Sequence, residues 1–261
     1  MTRVSTAPIR LVQFTDLHLY ADPAGELRGV STLPALEAAL AAAADRVAEA
    51  SAVLLTGDLV QDDPGGYAHV TRLFGRSPVP VYCLPGNHDE PAPMRAALGA
   101  APFQICGSAV LGGWLLVMLD SCCGGSAAGR IGPAELDRLD ATLAAHPHHH
   151  ALVCLHHHPV PSGSRWLDTV GLRNPQALFA TLDRHPQVRG LVWGHVHQLH
   201  DSLRNGVRLL GTPATSAQFK PASEQFALDD LPPGFRWLAL HGDGRIETAA
   251  CWLDAPAGRS A

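Results

Sequence analysis

The 261-residue sequence has no run of like charge, no long apolar segment and no cysteine framework. Each absence removes a class of protein. The formal net charge is −5 and the basic residues are scattered, so there is neither the basic stripe that a nucleic-acid surface demands nor a polybasic patch for an anionic membrane. No stretch of about 18 apolar residues occurs, which excludes a membrane-spanning helix. Met1 to Arg10 lacks the apolar run of a secretion signal. The six cysteines (Cys83, Cys106, Cys122, Cys123, Cys154 and Cys251) form no Cys-x-x-Cys pair. Two of them are adjacent and several lie in apolar runs such as Val153-Cys154-Leu155, so the expectation is buried, reduced thiols in a cytoplasmic protein. Charged residues are only 16% of the chain against 46% hydrophobic, a balance that can bury a large core and excludes disorder. No linker, repeat or low-complexity tract beyond an Ala-rich stretch interrupts the pattern, so one domain over residues 1–261 is expected. The pattern sets no oligomeric state.

What the sequence has in excess is histidine, fifteen in all. Short apolar runs bounded by turn residues predict strands over 10–14, 52–56, 79–84, 114–120, 151–155 and 188–193. Helical patterns lie between them, over 33–50, 66–74, 91–98, 133–145 and 175–184. Pro133 and Pro175 fall in the first helical turn, where a missing N–H costs nothing. Near the end, Asn205-Gly206 predicts a two-residue hairpin between 203–204 and 207–210, and Gly242-Asp243-Gly244 a second between 236–241 and 245–252. Alternating strands and helices followed by antiparallel hairpins predict an α/β fold with mixed sheets.

Strand after strand runs into a metal-ligand type of residue. The first predicted strand leads to Asp16-Leu17-His18 and the second to Gly57-Asp58. The third leads to Gly86-Asn87-His88-Asp89, the fifth to His156, and the sixth to Gly194-His195-Val196-His197. Alone, each spacing is common: Asp-x-His merely shares a face of an extended segment, and Gly-Asp is an ordinary turn. Five in order, each at a strand's carboxyl end, predict one site at one edge, where open α/β sheets bind ligands. His157 and His158 beside His156, like His146 and His148 to His150, are read as solvated imidazoles. Imidazole with carboxylate and amide oxygen, without thiolate, suits two divalent or trivalent ions, iron or manganese before zinc. Asp58, alone after its glycine, is the natural bridge. Two divalent ions, two carboxylates and one hydroxide would leave about +1, a surplus that attracts a phosphate ester.

The ordered set Asp16-x-His18, Gly57-Asp58, Gly86-Asn87-His88-Asp89, His156 and Gly194-His195-x-His197 resembles the calcineurin-like metallophosphoesterases. The resemblance implies a four-layer α-β-β-α sandwich of two mixed sheets flanked by helices, with the metal site at the carboxyl ends of the strands. It also implies one metal on Asp16, His18, Asp58 and His197, and a second on Asp58, Asn87, His156 and His195. Further blocks lie outside the metal motif: Gly29-Val30-Ser31-Thr32, Trp166-Leu167-Asp168, Leu172-Arg173-Asn174, Thr212-Pro213 and Gln218-Phe219-Lys220-Pro221. With Leu59 to Asp62 and Pro159 they resemble the bacterial class III 3′,5′-cyclic-AMP phosphodiesterases. What this implies is a small cyclic nucleotide as substrate and in-line attack by a metal-bridging hydroxide. His88, Asn87 and Asp58 would act in catalysis, and His18, Asp58, Asn87, His88 and His197 would meet the substrate.

Arg173, Asn174, Phe219 and Lys220 are candidates for nucleotide contact, Asp120 for a turn or cap, and His200 and Asp201 for a solvated loop. Gln61 stands where protein Ser/Thr phosphatases carry the Asp that pairs with the catalytic His, which leaves Asp62 or Asp89 to orient His88. Those phosphatases would carry Asp-Arg-Gly shortly after the Gly-Asp and Gly-Asn-His-Glu later; Leu59-Val60-Gln61-Asp62 and Gly86-Asn87-His88-Asp89 set them aside. Purple acid phosphatases would need a tyrosine near Asp58. A broad-specificity phosphodiesterase or phosphomonoesterase is the enzymatic alternative. A non-catalytic scaffold of the same fold is opposed by all seven filled ligand positions.

Overall fold

Along each central strand the side chains alternate between two apolar environments, which is why the sequence reads there as unbroken hydrophobic runs. The computed structural model describes residues 7–253. Its strands are β1 (Ile9–Phe14), β2 (Glu26–Leu27), β3 (Val30–Ser31), β4 (Ala52–Thr56), β5 (Val81–Leu84), β6 (Phe103–Ile105) and β7 (Gly107–Leu111). They continue as β8 (Trp114–Met118), β9 (His150–Cys154), β10 (Val188–Trp193), β11 (His200–Arg204), β12 (Val207–Gly211), β13 (Gly234–Leu240) and β14 (Ile246–Trp252). The helices are α1 (Thr32–Ala42), α2 (Ala44–Ala48), α3 (Tyr67–Phe74), α4 (Pro91–Leu98), α5 (Pro133–Ala145), α6 (Arg165–Asp168) and α7 (Pro175–Leu182).

Two six-stranded mixed sheets result, in the orders β14-β13-β1-β4-β5-β6 and β11-β12-β10-β9-β8-β7, beside the small β2-β3 ribbon. In the first sheet β1, β4, β5 and β6 run parallel, and in the second β8, β9, β10 and β12 do. The terminal hairpin β13-β14 adds antiparallel to β1, so the chain's last strands complete its first sheet. Alternation sorts the core into three layers. Val53 and Leu55 of β4 pack with Leu36, Tyr67, Val70 and Leu98 of the helices outside the first sheet. Val153 and Leu191 pack with Leu139, Leu143, Leu178 and Leu182 outside the second. Leu54, Leu84, Trp114, Leu152, Val192 and Leu238 meet between the sheets. The predicted four-layer sandwich is the observed one.

Several expectations shift in detail. The single helix expected over 33–50 divides at Ala43, which is buried with φ −92° and ψ 0°; an alanine-rich stretch has helix propensity but no periodic bulk to hold one axis. The edge strands β6 and β7, three and five residues long, fall outside the expected strands. The hairpin expected at Asn205-Gly206 is present, with both residues at positive φ (50° and 82°) as a type I′ turn requires.

Because Leu54 is fully buried between the sheets, Leu54→Ala should cost about 2–5 kcal/mol of stability. Urea unfolding measures it, and a loss below about 1 kcal/mol would show that this layer is not close-packed.

Candidate active site

The two sheets present their parallel strands' carboxyl ends to the same edge. The site therefore draws three segments from one sheet and two from the other, rather than five ends of one row. At the ends of β1, β4 and β10 the backbone turns sharply. Asp16, His18, Asp58, His195 and His197 all have positive φ, between 47° and 66°, a region that costs a residue with a side chain of order 1 kcal/mol or more. Between the paired residues Leu17 and Val196 are buried among the apolar layers. Each x of Asp-x-His and His-x-His thus anchors the loop while its flanks face the site. Two glycines are required by close approach. A Cβ on Gly86 would fall on the Asp58 carboxylate, and one on Gly194 would come within 2.6 Å of Asp16 Oδ2.

The predicted ligands come together. His18 Nε2 lies 3.1 Å from His197 Nε2, and His197 Nε2 lies 3.3 Å from Asp16 Oδ1. Asp58 Oδ2 stands between two imidazoles, 3.3 Å from His156 Nε2 and 3.7 Å from His18 Nε2. Asp58 Oδ1 accepts from the His88 amide, and both Asp16 oxygens accept from the His195 amide at 3.0 Å.

Ring tautomers are set from outside. A backbone carbonyl accepts from the far nitrogen of three rings: Thr56 O from His156 Nδ1 (2.9 Å), Ala217 O from His197 Nδ1 (2.6 Å) and Val170 O from His195 Nε2 (3.1 Å). The remaining nitrogen of each ring turns inward, as in histidines that meet a metal through one nitrogen while a carbonyl holds the other. Asn87 Oδ1 is buried without a hydrogen-bond partner. Inward-facing ring nitrogens and an orphaned amide oxygen, interleaved with carboxylates, are a donor set that a cation satisfies. The donors fall into overlapping groups: Asp16, His18 and His197; Asp16, Asp58 and His156; and His156, His157 and His195. The donor set therefore has room for two ions.

Electrostatics agree with that reading. Burial opposes ionisation of Asp16 and Asp58, yet His197 beside the first and His156 beside the second hold both below the ordinary carboxylate range. Burial pulls His18 and His158 to about 4 and His157 to about 3, and it depresses His195 as well. His156 is the exception. Burial lowers it, but the charges of Asp58 and Asp16 outweigh that and raise it to about 9.

His88 sits at the mouth, its side chain 31% exposed, with its ring 5.3 Å from that of His18. Its Nδ1 lies 2.9 Å from Asp62 Oδ2, and Gln61 Nε2 donates to the same carboxylate. Asp62, then, orients His88. Asp89 is turned inward, accepting from the amides of Leu59 and Gly86 and from the Tyr67 hydroxyl at 2.8 Å.

Other expectations are corrected. His157 and His158 are buried, not solvated, because β9 delivers them between the layers. The Ser121 hydroxyl meets His157 Nδ1 at 2.8 Å, and His158 stacks on His195 with its Nε2 3.5 Å from Asp168 Oδ1. The run of three histidines was the signal for this, but periodicity cannot distinguish a buried imidazole from a solvated one. Asn174 clamps the backbone of Ile131, Arg173 bonds Ser126, and Lys220 is exposed. Asp201 is paired with Arg208 on neighbouring strands, not in a solvated loop. Asp120 accepts from the Cys122 amide, as a turn residue does.

Sequence reasoning missed a buried polar floor beneath the site. Arg236 donates to Thr212, Thr212 to Gln13, and Gln13 to Thr56, whose carbonyl holds His156. Burial lowers the Arg236 guanidinium to about 10.

Hard nitrogen and oxygen donors paired around one carboxylate, at the carboxyl ends of two facing sheets, define a metal-dependent phosphoesterase. The chain belongs to the calcineurin-like phosphoesterase family, whose pattern matches residues 9–199. It is 41% identical over 256 residues to the 3′,5′-cyclic adenosine monophosphate phosphodiesterase CpdA of Pseudomonas aeruginosa, covering 97% of this chain and 93% of that one. To the CpdA of Escherichia coli K12 it is 39% identical, covering 93% and 89%. Its fold matches a dimetal phosphatase from Danio rerio with a TM-score of 0.68 at 15% identity, over 95% of this chain and all of that one. Among the described residues no helix is long and apolar enough to cross a membrane.

In the metal-free protein the depressed histidines are neutral when folded but take up protons near pH 6.5 when unfolded. Their contribution is full above that pH and is lost as pH falls towards about 4. His156 runs the other way, losing its contribution as pH rises through about 9. The urea midpoint of chelator-treated protein should fall steeply from pH 7 to pH 5. A flat profile there would show that these rings are not buried in neutral form.

Proposed function

We propose that this chain is a two-metal phosphodiesterase, acting as one domain in the cytoplasm, that hydrolyses 3′,5′-cyclic AMP to 5′-AMP. The observation that carries the reading is Asp58 Oδ2 lying between His18 and His156, a carboxylate shared by two clusters of neutral donors. The names of the relatives above support the substrate. The donor set of imidazole, carboxylate and amide, without thiolate, favours iron or manganese, with zinc acceptable.

Asp16, His18, Asp58 and His197 would hold one ion, and Asp58, Asn87, His156 and His195 the other. When bound, such ions neutralise phosphoryl oxygens and acidify water. The chain's own residues do the rest. The strained backbone at Asp16, His18, Asp58, His195 and His197 and the carbonyls behind three of the rings fix the donors before substrate arrives. This limits reorganisation during the reaction. His88 stands at the mouth with Asp62 on its Nδ1; its Nε2 delivers a proton to the departing 3′ oxygen as the P–O3′ bond breaks. Asn87 and His18 border the same phosphoryl group. Hydrolysis adds one water, and 5′-AMP leaves with a free 3′ hydroxyl.

Metal-loaded protein given cyclic AMP, cyclic GMP, bis-p-nitrophenyl phosphate and 5′-AMP should convert cyclic AMP preferentially and leave 5′-AMP intact. Rapid cleavage of the artificial diester with negligible cyclic AMP turnover would replace this reading with a broad-specificity esterase. His88→Ala should lower kcat roughly 10²- to 10⁴-fold with metal content unchanged. Asp58→Asn should lose at least one metal equivalent by elemental analysis, and full occupancy would remove the bridging role.

A further inference from the structure

Beside His197 the chain builds an aromatic ladder that the hydrolytic chemistry does not use. Phe219 lies flat on His197, ring centroids 4.0 Å apart and planes 6° from parallel. That face of Phe219 is therefore taken, and the residue expected to stack on a base is instead a support. Phe226 is the next step out, 5.5 Å from Phe219 and tilted by 70°. Trp166 braces both rings edge-on, at 5.2 and 5.1 Å. Phe226 remains 44% exposed, although the loop that carries it is closed by backbone bonds. Lys220 donates to Ala227 O, Asp229 to Gln218 O, and Phe219 bridges Leu228. The Gln218 side chain pins the base of that loop to Ala214. An exposed phenyl ring on a tied-down loop is a presented surface, not a frayed one. Over it lies the exposed Arg28 guanidinium, 4.9 Å from the ring centroid, reaching from the β2-β3 ribbon.

We propose that Phe226 and Arg28 form the base-recognition clamp of the site, the nucleobase entering between the phenyl ring and the guanidinium. The proposal rests on the cyclic-nucleotide reading above and adds the residues that make the substrate a nucleotide rather than any diester. Two short ring-to-ring steps separate Phe226 from a metal-ligand histidine, about the reach of a ribose between phosphate and base. A base needs about 7 Å between two stacking partners, so Arg28, now 4.9 Å from the ring centroid, must lift by about 2 Å. A long exposed side chain on a two-strand ribbon can do so. The guanidinium exchanges its contact with Phe226 for one with the base, and both partners stack on flat π surfaces. Stacking of this kind tolerates any base but favours the larger purine ring.

The test compares three 3′,5′-cyclic diesters on the metal-loaded full chain: cyclic AMP, cyclic CMP and ribose cyclic phosphate lacking a base. Alongside it, calorimetry measures binding of 5′-AMP against ribose 5-phosphate. Phe226→Leu keeps the apolar contacts with Trp166 and Phe219 but removes the aromatic face. It should raise KM for cyclic AMP roughly 5- to 50-fold while moving kcat far less, and narrow the purine-over-pyrimidine preference. The loss on cyclic AMP should exceed that on the base-free diester about 10-fold, with Phe226→Trp restoring it. Arg28→Ala should show the same pattern, more weakly. Equal losses on all three diesters, or a wild-type enzyme indifferent to the base, would overturn the clamp and leave the phosphodiesterase standing. Failure of the wild type on every cyclic diester would remove the parent reading instead. The clamp would then be judged by calorimetry alone: tighter 5′-AMP binding lost in Phe226→Leu supports it, and equal binding of the two phosphates overturns it.

Discussion

Several buried imidazoles turn nitrogens inward at one another and at two carboxylates, and they cannot all be satisfied by protons. His18 and His197 meet nitrogen to nitrogen at 3.1 Å; with His197 Nδ1 committed to the Ala217 carbonyl, only a proton on His18 Nε2 bridges them, and that leaves the buried His18 Nδ1 without a partner. Protonating the rings is opposed by burial, which holds His18, His157, His158 and His195 below their ordinary range. Cations among the rings relieve both problems at once, and metal binding to such a site also contributes to folding stability. Much else in the architecture serves to make this otherwise unfavourable cluster possible.

Supporting it requires two sheets. A single parallel sheet would set its strand ends in a row; facing sheets wrap the donors around Asp58. Their register at the site is held by the buried Arg236–Thr212–Gln13–Thr56 chain, which crosses from one sheet to the other and ends on the carbonyl that fixes His156. Between the sheets the other contacts are mostly non-directional apolar packing. A polar chain specifies alignment where packing alone would tolerate a slide.

The site was more legible in the sequence than the scaffold details around it. Strands Ala52–Thr56 and Val188–Trp193 and helices Pro91–Leu98 and Pro133–Ala145 coincide with the residues expected, because apolar periodicity and proline at the first turn are local signals. The break at Ala43, the short edge strands β6 and β7, and the pairing of β13 with β1 depend on tertiary contacts that no local window contains. The same division runs through the site. The candidate ligands stood out because metal chemistry restricts residue types and turns fix their spacing. The burial of His157 and His158, the polar floor and the use of Phe219 as a support were hidden, since each depends on what a side chain faces rather than on what it is.

The sharpest instance is the pair of acids that the sequence left open as partners of His88. Asp89 is its immediate neighbour, and proximity along the chain favours it. Asn87 and His88, however, lie in a turn closed by the bond from the Asp89 amide to the Gly86 carbonyl, which leaves His88 at the mouth and Asp89 inside. There it ties Leu59, Gly86 and Tyr67 together, and burial beside Asp58 raises it to about 6 despite those bonds. Asp62, on another loop, reaches His88 because its own backbone turns at φ 51°. Two carboxylates with similar sequence claims thus divide the work by orientation alone, one holding the loops that shape the site and one aiming the imidazole that closes it.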